Sequence, residues 1–222
     1  MKKRSRFKAT FLFLLISIFI LTFLSSLSGA QSAPWEYYSK YKIIVPVSCG
    51  NLAAKLSFKE EARFRDNAHY YNKIPVGISA KVNKHWEIGF FYALKDKKNK
   101  SHWKNYHLIW PEAIFHTSLS SIVIDDRQRV ELHLTDRDQR YRNFLRIKFY
   151  TLNGKLIPWI GNEIRYFFKR NQIAMNEALA GIMFKPFTHL TINLYYDYRL
   201  IKNKKNIWEK ANVFQSMIIL QF

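Results

Sequence analysis

The sequence predicts an all-β protein, an antiparallel transmembrane β-barrel of about ten strands that follows a cleaved signal peptide. Three observations predict it. Segments about ten residues long alternate apolar and polar side chains over most of the chain. Residues 1–30 have the layered composition of an export signal. The chain stops on Phe222, with Leu220, Ile218 and Phe214 at the same parity behind it.

The leader comes first. Lys2, Lys3, Arg4, Arg6 and Lys8 form a basic start, Ala9 to Leu24 is an unbroken apolar run, and Ser25 to Ala30 are mostly small. That order suits a signal peptide, with Ser28 and Ala30 at the small positions before the cut and Gln31 as the new N-terminus. The run is short for a spanning helix, which disfavours an uncleaved anchor. No cysteine lies near the cut, so lipid attachment there is excluded. Taking the five leader bases from the 36 Lys and Arg leaves 31 against 16 Asp and Glu, a mature excess of 15. A basic excess suits nucleic acid or anionic surfaces, and export removes the nucleic-acid reading.

Composition narrows the remaining classes. Of 222 residues 48% are apolar, 17% aromatic and 23% charged, which excludes a disordered chain or a coiled coil. The lone Cys49 cannot pair within the chain, so neither a disulfide scaffold nor a cysteine-built metal site is available.

Successive strand side chains point to opposite faces, so each alternating segment has one oily and one charged face. Leu56, Phe58, Ala62 and Phe64 share one parity, and Lys55, Lys59, Glu61, Arg63 and Arg65 the other. Val130, Leu132 and Leu134 alternate with Arg127, Arg129, Glu131 and His133. Leu145, Ile147 and Phe149 alternate with Arg142, Phe144, Arg146 and Lys148. Leu190 to Tyr198 repeats the pattern against His189 to Arg199. Counting back from Phe222 places strands at 208–222, 188–200, 172–185, 156–168, 139–151, 121–135, 102–116, 86–95, 71–82 and 52–66. Residues 31–51 form an N-terminal lead or a first strand, and 52–222 the barrel. If 35–47 joins the barrel, an even count requires a further strand near Trp103–Ser121 and gives twelve. Pro111 interrupts 102–116, and Ala174–Ala180 also has a helix-like composition. Asn83–His85, Asn153–Lys155 and Pro186–Phe187 are the expected short turns, and the lysine-rich 96–101 and 202–206 the longer loops on the outer side. Trp86, Tyr92, Trp103, Trp110, Tyr150, Trp159, Tyr166 and Trp208 fall near segment ends, where interfacial girdles would lie.

In a barrel the charged parity faces the lumen. The densest charged stretch, 125–131 followed by 140–143, brings Arg129 and Glu131 opposite Arg140 and Arg142, Asn162-Glu163 on the next strand extends the ladder through Glu163, and Arg127 and Arg165 lie at the same inward parity. A small barrel is nearly filled by its side chains, so these seven residues form either an Arg–carboxylate plug or a narrow path favouring anions. Phe222, Leu220 and Ile218 form a terminal-aromatic signal of the kind that directs barrel proteins to the outer-membrane assembly machinery.

The order Asp126-Arg127-x-Arg129-x-Glu131, then Arg140-x-Arg142-Asn143, then Asn162-Glu163, with Tyr195-Tyr196 and a closing strand opening on Trp208, resembles a bacterial group. That group is domain-of-unknown-function family 2490, predicted outer-membrane barrels, and Arg63-Phe64-Arg65 fits it more loosely. The chain departs from the group at Asn171-Gln172, where an Asn-Arg pair is expected. The resemblance implies an outer-membrane barrel and carries no established activity.

Enzyme signals are sparse. His116-Thr117-Ser118 resembles the His-x-Ser pair of outer-membrane lipid esterases, and residues two apart in a strand face the same way. Leu119-Ser120 follows instead of Asn-Gly, and the sequence identifies no partner to orient His116. The histidines lack zinc-enzyme spacing and no phosphate loop is present. His133 and His189 are expected in the lumen. The expectation is therefore a monomeric, non-catalytic protein of the bacterial outer membrane, with no cofactor or metal, structural or a narrow passage. Its partners would be outer-membrane lipids including lipopolysaccharide, met by Lys95–Lys104 and Lys202–Lys210, and the barrel-assembly machinery. A lipid esterase using His116 and Ser118 and a soluble periplasmic β-protein are the alternatives.

Overall fold

The computed structural model describes residues 34–222, apart from 50, 51, 67, 100, 101, 151–153 and 204. The leader expectation lies outside the described residues. Eleven strands follow in order: β1 (Trp35–Cys49), β2 (Leu52–Arg65), β3 (Ala68–Lys81), β4 (Trp86–Asn99), β5 (His102–Leu119), β6 (Ile122–His133), β7 (Gln139–Phe149), β8 (Leu156–Phe167), β9 (Gln172–Phe187), β10 (Leu190–Lys202) and β11 (Trp208–Gln221). They form one closed barrel in which each strand pairs with its chain neighbours and β1 pairs with β11.

Eleven replaces the expected ten or twelve. Residues 35–47 belong to the barrel as β1, and no additional strand hides in Trp103–Ser121, which is the single long β5. An up-and-down meander alternates direction, so an even count is forced only if the closing pair is antiparallel as well. Here β1 and β11 run parallel, from Trp35 opposite Asn212 to Ile44 opposite Gln221, and a parallel closing pair accommodates an odd count. The chain therefore enters the barrel at one rim and leaves it at the other. The first rim holds Pro34 and the connections around 66, 134–138, 168–171 and 205–207. The second holds 82–85, 120–121, 188–189 and Phe222.

The two segments of doubtful pattern are both strands. In β5, Pro111 has no N–H to donate, and pairing with β6 skips Trp110 and Pro111 and resumes in the same register. In β9, Met175–Ala180 pairs on both sides, and Ala174 is the extra residue skipped at the register shift opposite Arg165/Tyr166 of β8. Pro186–Phe187 lies within β9 rather than in a turn, and β4 and β5 consume most of the expected 96–101 loop. Asp66 and Asn171 turn the chain at positive φ, 50° each, a conformation that short polar side chains tolerate.

Apolar side chains cover the barrel's outer face: Ile88 is 52% and Phe90 53% exposed, with Ile78, Leu194 and Phe214 on the same surface. Trp35, Trp103 and Trp208 stand on that surface toward the first rim and Trp86 toward the second. Trp110 and Trp159, expected among these outer aromatics, are 2% and 3% exposed and lie inside. Their parity explains it: Trp110 shares a face with Glu112, and Trp159 with Glu163 and Arg165.

Gly181 of β9 permits close packing under Tyr195. A Cβ there would overlap the Tyr195 Cβ and stand 2.6 Å from the Leu194 carbonyl oxygen. Gly181→Ala is expected to destabilise the barrel by about 1–3 kcal/mol, read as a lowered urea midpoint by tryptophan fluorescence. An unchanged midpoint would show that the wall relaxes there.

Candidate functional site

Inward parity brings the charged side chains of ten strands, β1 to β10, around a cavity of about 660 Å³. Glu163 of β8 sits at its centre. Its carboxylate accepts from Arg127 Nη2 at 3.1 Å, Arg142 Nη2 at 2.5 Å and Arg165 Nε at 2.7 Å. Arg142 donates through Nη1 to Glu131 at 2.6 Å, and Glu131 also faces Arg129 at 3.5 Å and Lys73 at 3.6 Å. Arg129 turns its Nε to Glu112 Oε2 at 2.8 Å, and Arg165 reaches Glu177 at 3.1 Å.

The pairing is diagonal rather than directly across. Arg129 stands opposite Arg142, and Arg142 opposite Arg165, so like charges share each rung. Like charges directly opposite are unfavourable, and the long guanidinium arms escape by reaching one rung over to Glu131 and Glu163. Each carboxylate serves two or three cations, and the planar fork of arginine allows one residue to bridge two acids.

Of the sequence-derived residues, Arg127, Arg129, Glu131, Arg142, Glu163 and Arg165 come together in this network. Arg140 does not join it. It stands directly opposite Glu131 near the first rim but turns away, donating to Asp138 at 2.6 Å and stacking on Phe167 at 4.3 Å. Glu112, Lys73 and Glu177 were missed. Extending the two-residue period through β5, β3 and β9 would have found them, but Pro111, Pro75 and the β9 bulge blur that period.

A second group closes the β1 seam. Tyr38 donates to Glu36 at 2.7 Å and receives hydrogen bonds from Arg63, at 3.2 Å, and Arg199. Arg63 lies between the rings of Tyr38 and Tyr71, 4.3 and 4.0 Å from their centroids. Arg199 pairs with Asp197 and Glu177, which links the seam to the central network. Apolar side chains fill the second-rim half: Ile157, Trp159, Leu179, Met183 and Tyr195 pack together, and Trp159 Nε1 donates to Asn193 at 2.8 Å.

His116 has an orienting acid that the sequence did not reveal. Its Nδ1 lies 2.8 Å from Asp125 Oδ1, across the β5–β6 pair, and Asp125 also holds Arg146 at 2.7 Å and Lys148 at 2.9 Å. No hydrogen bond joins His116 to Ser118, which is exposed at the end of β5. His133 is buried inside the barrel, whereas His189 sits exposed on the second rim with Nδ1 2.9 Å from the Gln221 carbonyl oxygen. Ile218, Leu220 and Phe222 are on the outer face at the end of β11, and the Phe222 N–H donates to the Ile44 carbonyl at 3.1 Å.

Replacing Glu163 by Gln leaves three guanidinium groups short of a shared counter-charge. Because removing one partner of a buried ion pair strands the others, Glu163→Gln should destabilise the barrel by about 3 kcal/mol or more. Equilibrium unfolding in urea measures it, with Lys210→Gln on the exposed surface as the silent control.

A search of curated proteins finds no match to the chain. A family model described as "Protein of unknown function (DUF2490)" matches residues 36–210, from the first strand into the last. The matched span contains every residue of the central ion-pair network, and the chain belongs to this family.

Proposed function

We propose that the chain is an integral, monomeric β-barrel of the bacterial outer membrane, without catalysis, whose ion-paired interior is a narrow passage favouring anions. One observation carries this: around a closed sheet, the outward parity is apolar and the inward parity charged. Such a surface suits hydrocarbon on the outside, and closure leaves no strand edge unpaired in lipid. Among the described residues the apolar parity meets no second sheet, as a soluble sandwich would require.

The preference for anions follows from the lining. Fifteen Lys and Arg side chains border the cavity against eight Asp and Glu, and the border runs from Arg65 at the first rim to His116 and Arg146 near the second. Walls with a surplus of one sign concentrate the opposite ion. Phe222, Leu220 and Ile218 supply the terminal pattern for the assembly machinery. Lys98 and Lys104 on the β4–β5 hairpin and Lys205 beyond β10 provide basic contacts for lipopolysaccharide phosphates.

Two measurements test the reading. The protein should sediment with outer membranes, require detergent for extraction and migrate faster on a gel unheated than boiled. Release by osmotic shock would overturn it. In planar bilayers it should conduct weakly, with a reversal potential displaced toward anions, and a silent bilayer would leave a structural plug instead.

Parallel closure also sets the topology. With Phe222 in the periplasm, an epitope inserted between Ser32 and Trp35 should be labelled on intact cells, and one after Phe222 only after permeabilisation. Labelling of both at the same face would contradict the β1–β11 pairing.

A further inference from the structure

Of the lysines expected in a solvated outer loop, Lys95 and Lys97 instead turn into the cavity. Lys95 is 8% exposed and has no carboxylate within 4 Å among the described residues. Its ammonium rests over the Tyr106 ring, 4.1 Å from the centroid. A buried ammonium carries three donors, and a ring face meets only part of their demand. Lys97, one inward position nearer the first rim, has no ion pair among the described residues either, and Arg63, Arg65 and Arg140 stand within electrostatic reach of it with Glu36 as the one acid.

Two further groups complete the surroundings. His133 is 3% exposed and neither ring nitrogen has a hydrogen-bond partner, the nearest acid being Asp136 at 3.5 Å. Arg140 spends Nε and Nη2 on Asp138, at 2.9 and 2.6 Å, and keeps Nη1 free. These residues sit on four consecutive strands: Lys95 of β4 is opposite Tyr106 of β5, His133 of β6 is opposite Leu108, and Arg140 of β7 is opposite Glu131. They therefore form one side of the first-rim half of the cavity, with donors projecting from separate strands. A carboxylate is matched by a single planar fork, whereas donors converging from separate strands match a tetrahedral oxyanion.

We propose that this half of the cavity binds a phosphoryl group, held by Lys95, Lys97, His133 and Arg140 beside Tyr106. Lys95 supplies the central charge, Lys97 guards the entrance, and Arg140 Nη1 and the imidazole donate from the neighbouring strands β7 and β6. Asp138 holds the guanidinium in place, Asp136 faces the imidazole at 3.5 Å, and Lys95 and Lys97 make no ion pair among the described residues. The site deepens the anion-passage reading and rests on it only for how the anion arrives.

The test is isothermal titration of the full-length protein in a zwitterionic detergent, with inorganic phosphate in one arm and short-chain phosphatidic acid in the other. Saturable binding of inorganic phosphate is expected, weakened about tenfold or more in Lys95→Met through loss of a charge-assisted contact, and unchanged in Lys84→Gln at the exposed second rim. Heat-dependent gel migration checks that Lys95→Met is folded, and Lys97→Gln, at the more open position, decides the matter if it is not. Lys95- or Lys97-dependent binding of the lipid alone also supports the site and names a head group as its occupant. No saturable binding of either probe, or wild-type affinity in both variants, overturns it. Anion-selective conductance without phosphate binding removes the site and keeps the passage, and binding by a silent barrel does the reverse.

Discussion

A strand with one oily and one charged face cannot leave both in the same solvent. Closing the sheet separates them completely: Phe90, Ile88 and Phe214 go outward, and Glu163 with its arginines goes inward. From that separation follows the demand that every buried charge find a partner. Lys and Arg side chains together outnumber acids around the cavity, so carboxylates are shared. Glu163 serves three guanidinium groups, Glu131 two arginines and a lysine, and Glu177 two arginines. The interior is thus a lattice whose geometry is set by a few acids, and loss of one acid is felt by several bases on different strands.

Closure through a parallel pair shapes the rest. β1 fills the gap between β2 and β11 and supplies Glu36, Tyr38, Lys40 and Lys42 to the interior. Tyr38 is the junction there, an acceptor for two arginines and a donor to Glu36. The same seam places the two ends of the barrel at opposite rims. Lys40 donates to Tyr195 at 2.8 Å across the β1–β11–β10 junction and so ties the first strand to the last two.

The two halves of the cavity differ in character. Toward the second rim, Ile157, Leu179, Met183 and Trp159 fill space and His116 is engaged by Asp125. Toward the first rim, Lys95 and Lys97 stand without acids, against Tyr106 and a histidine with unmet nitrogens.

Much of this was legible in the chain. A two-residue period states which side chains share a face, so ten strands, six members of the central network and the existence of two opposite surfaces follow from local alternation alone. The period carries no information about which strand lies beside which across a seam, and β1 was therefore ambiguous between lead and wall. It also weakens wherever a proline or an extra residue breaks the alternation, which concealed Glu112 behind Pro111 and Glu177 behind the β9 bulge. Aromatic residues near segment ends looked alike, although Trp103 faces out and Trp110 in. Asp125 as the partner of His116 depended on the β5–β6 register. Sequence by itself determined the alternation, and with it the oily exterior and ionic interior, because side-chain direction in a strand is a local property. Only the closed structure decided the odd strand number, the diagonal ion pairs and the unpaired Lys95, because these depend on contacts between residues distant in the chain.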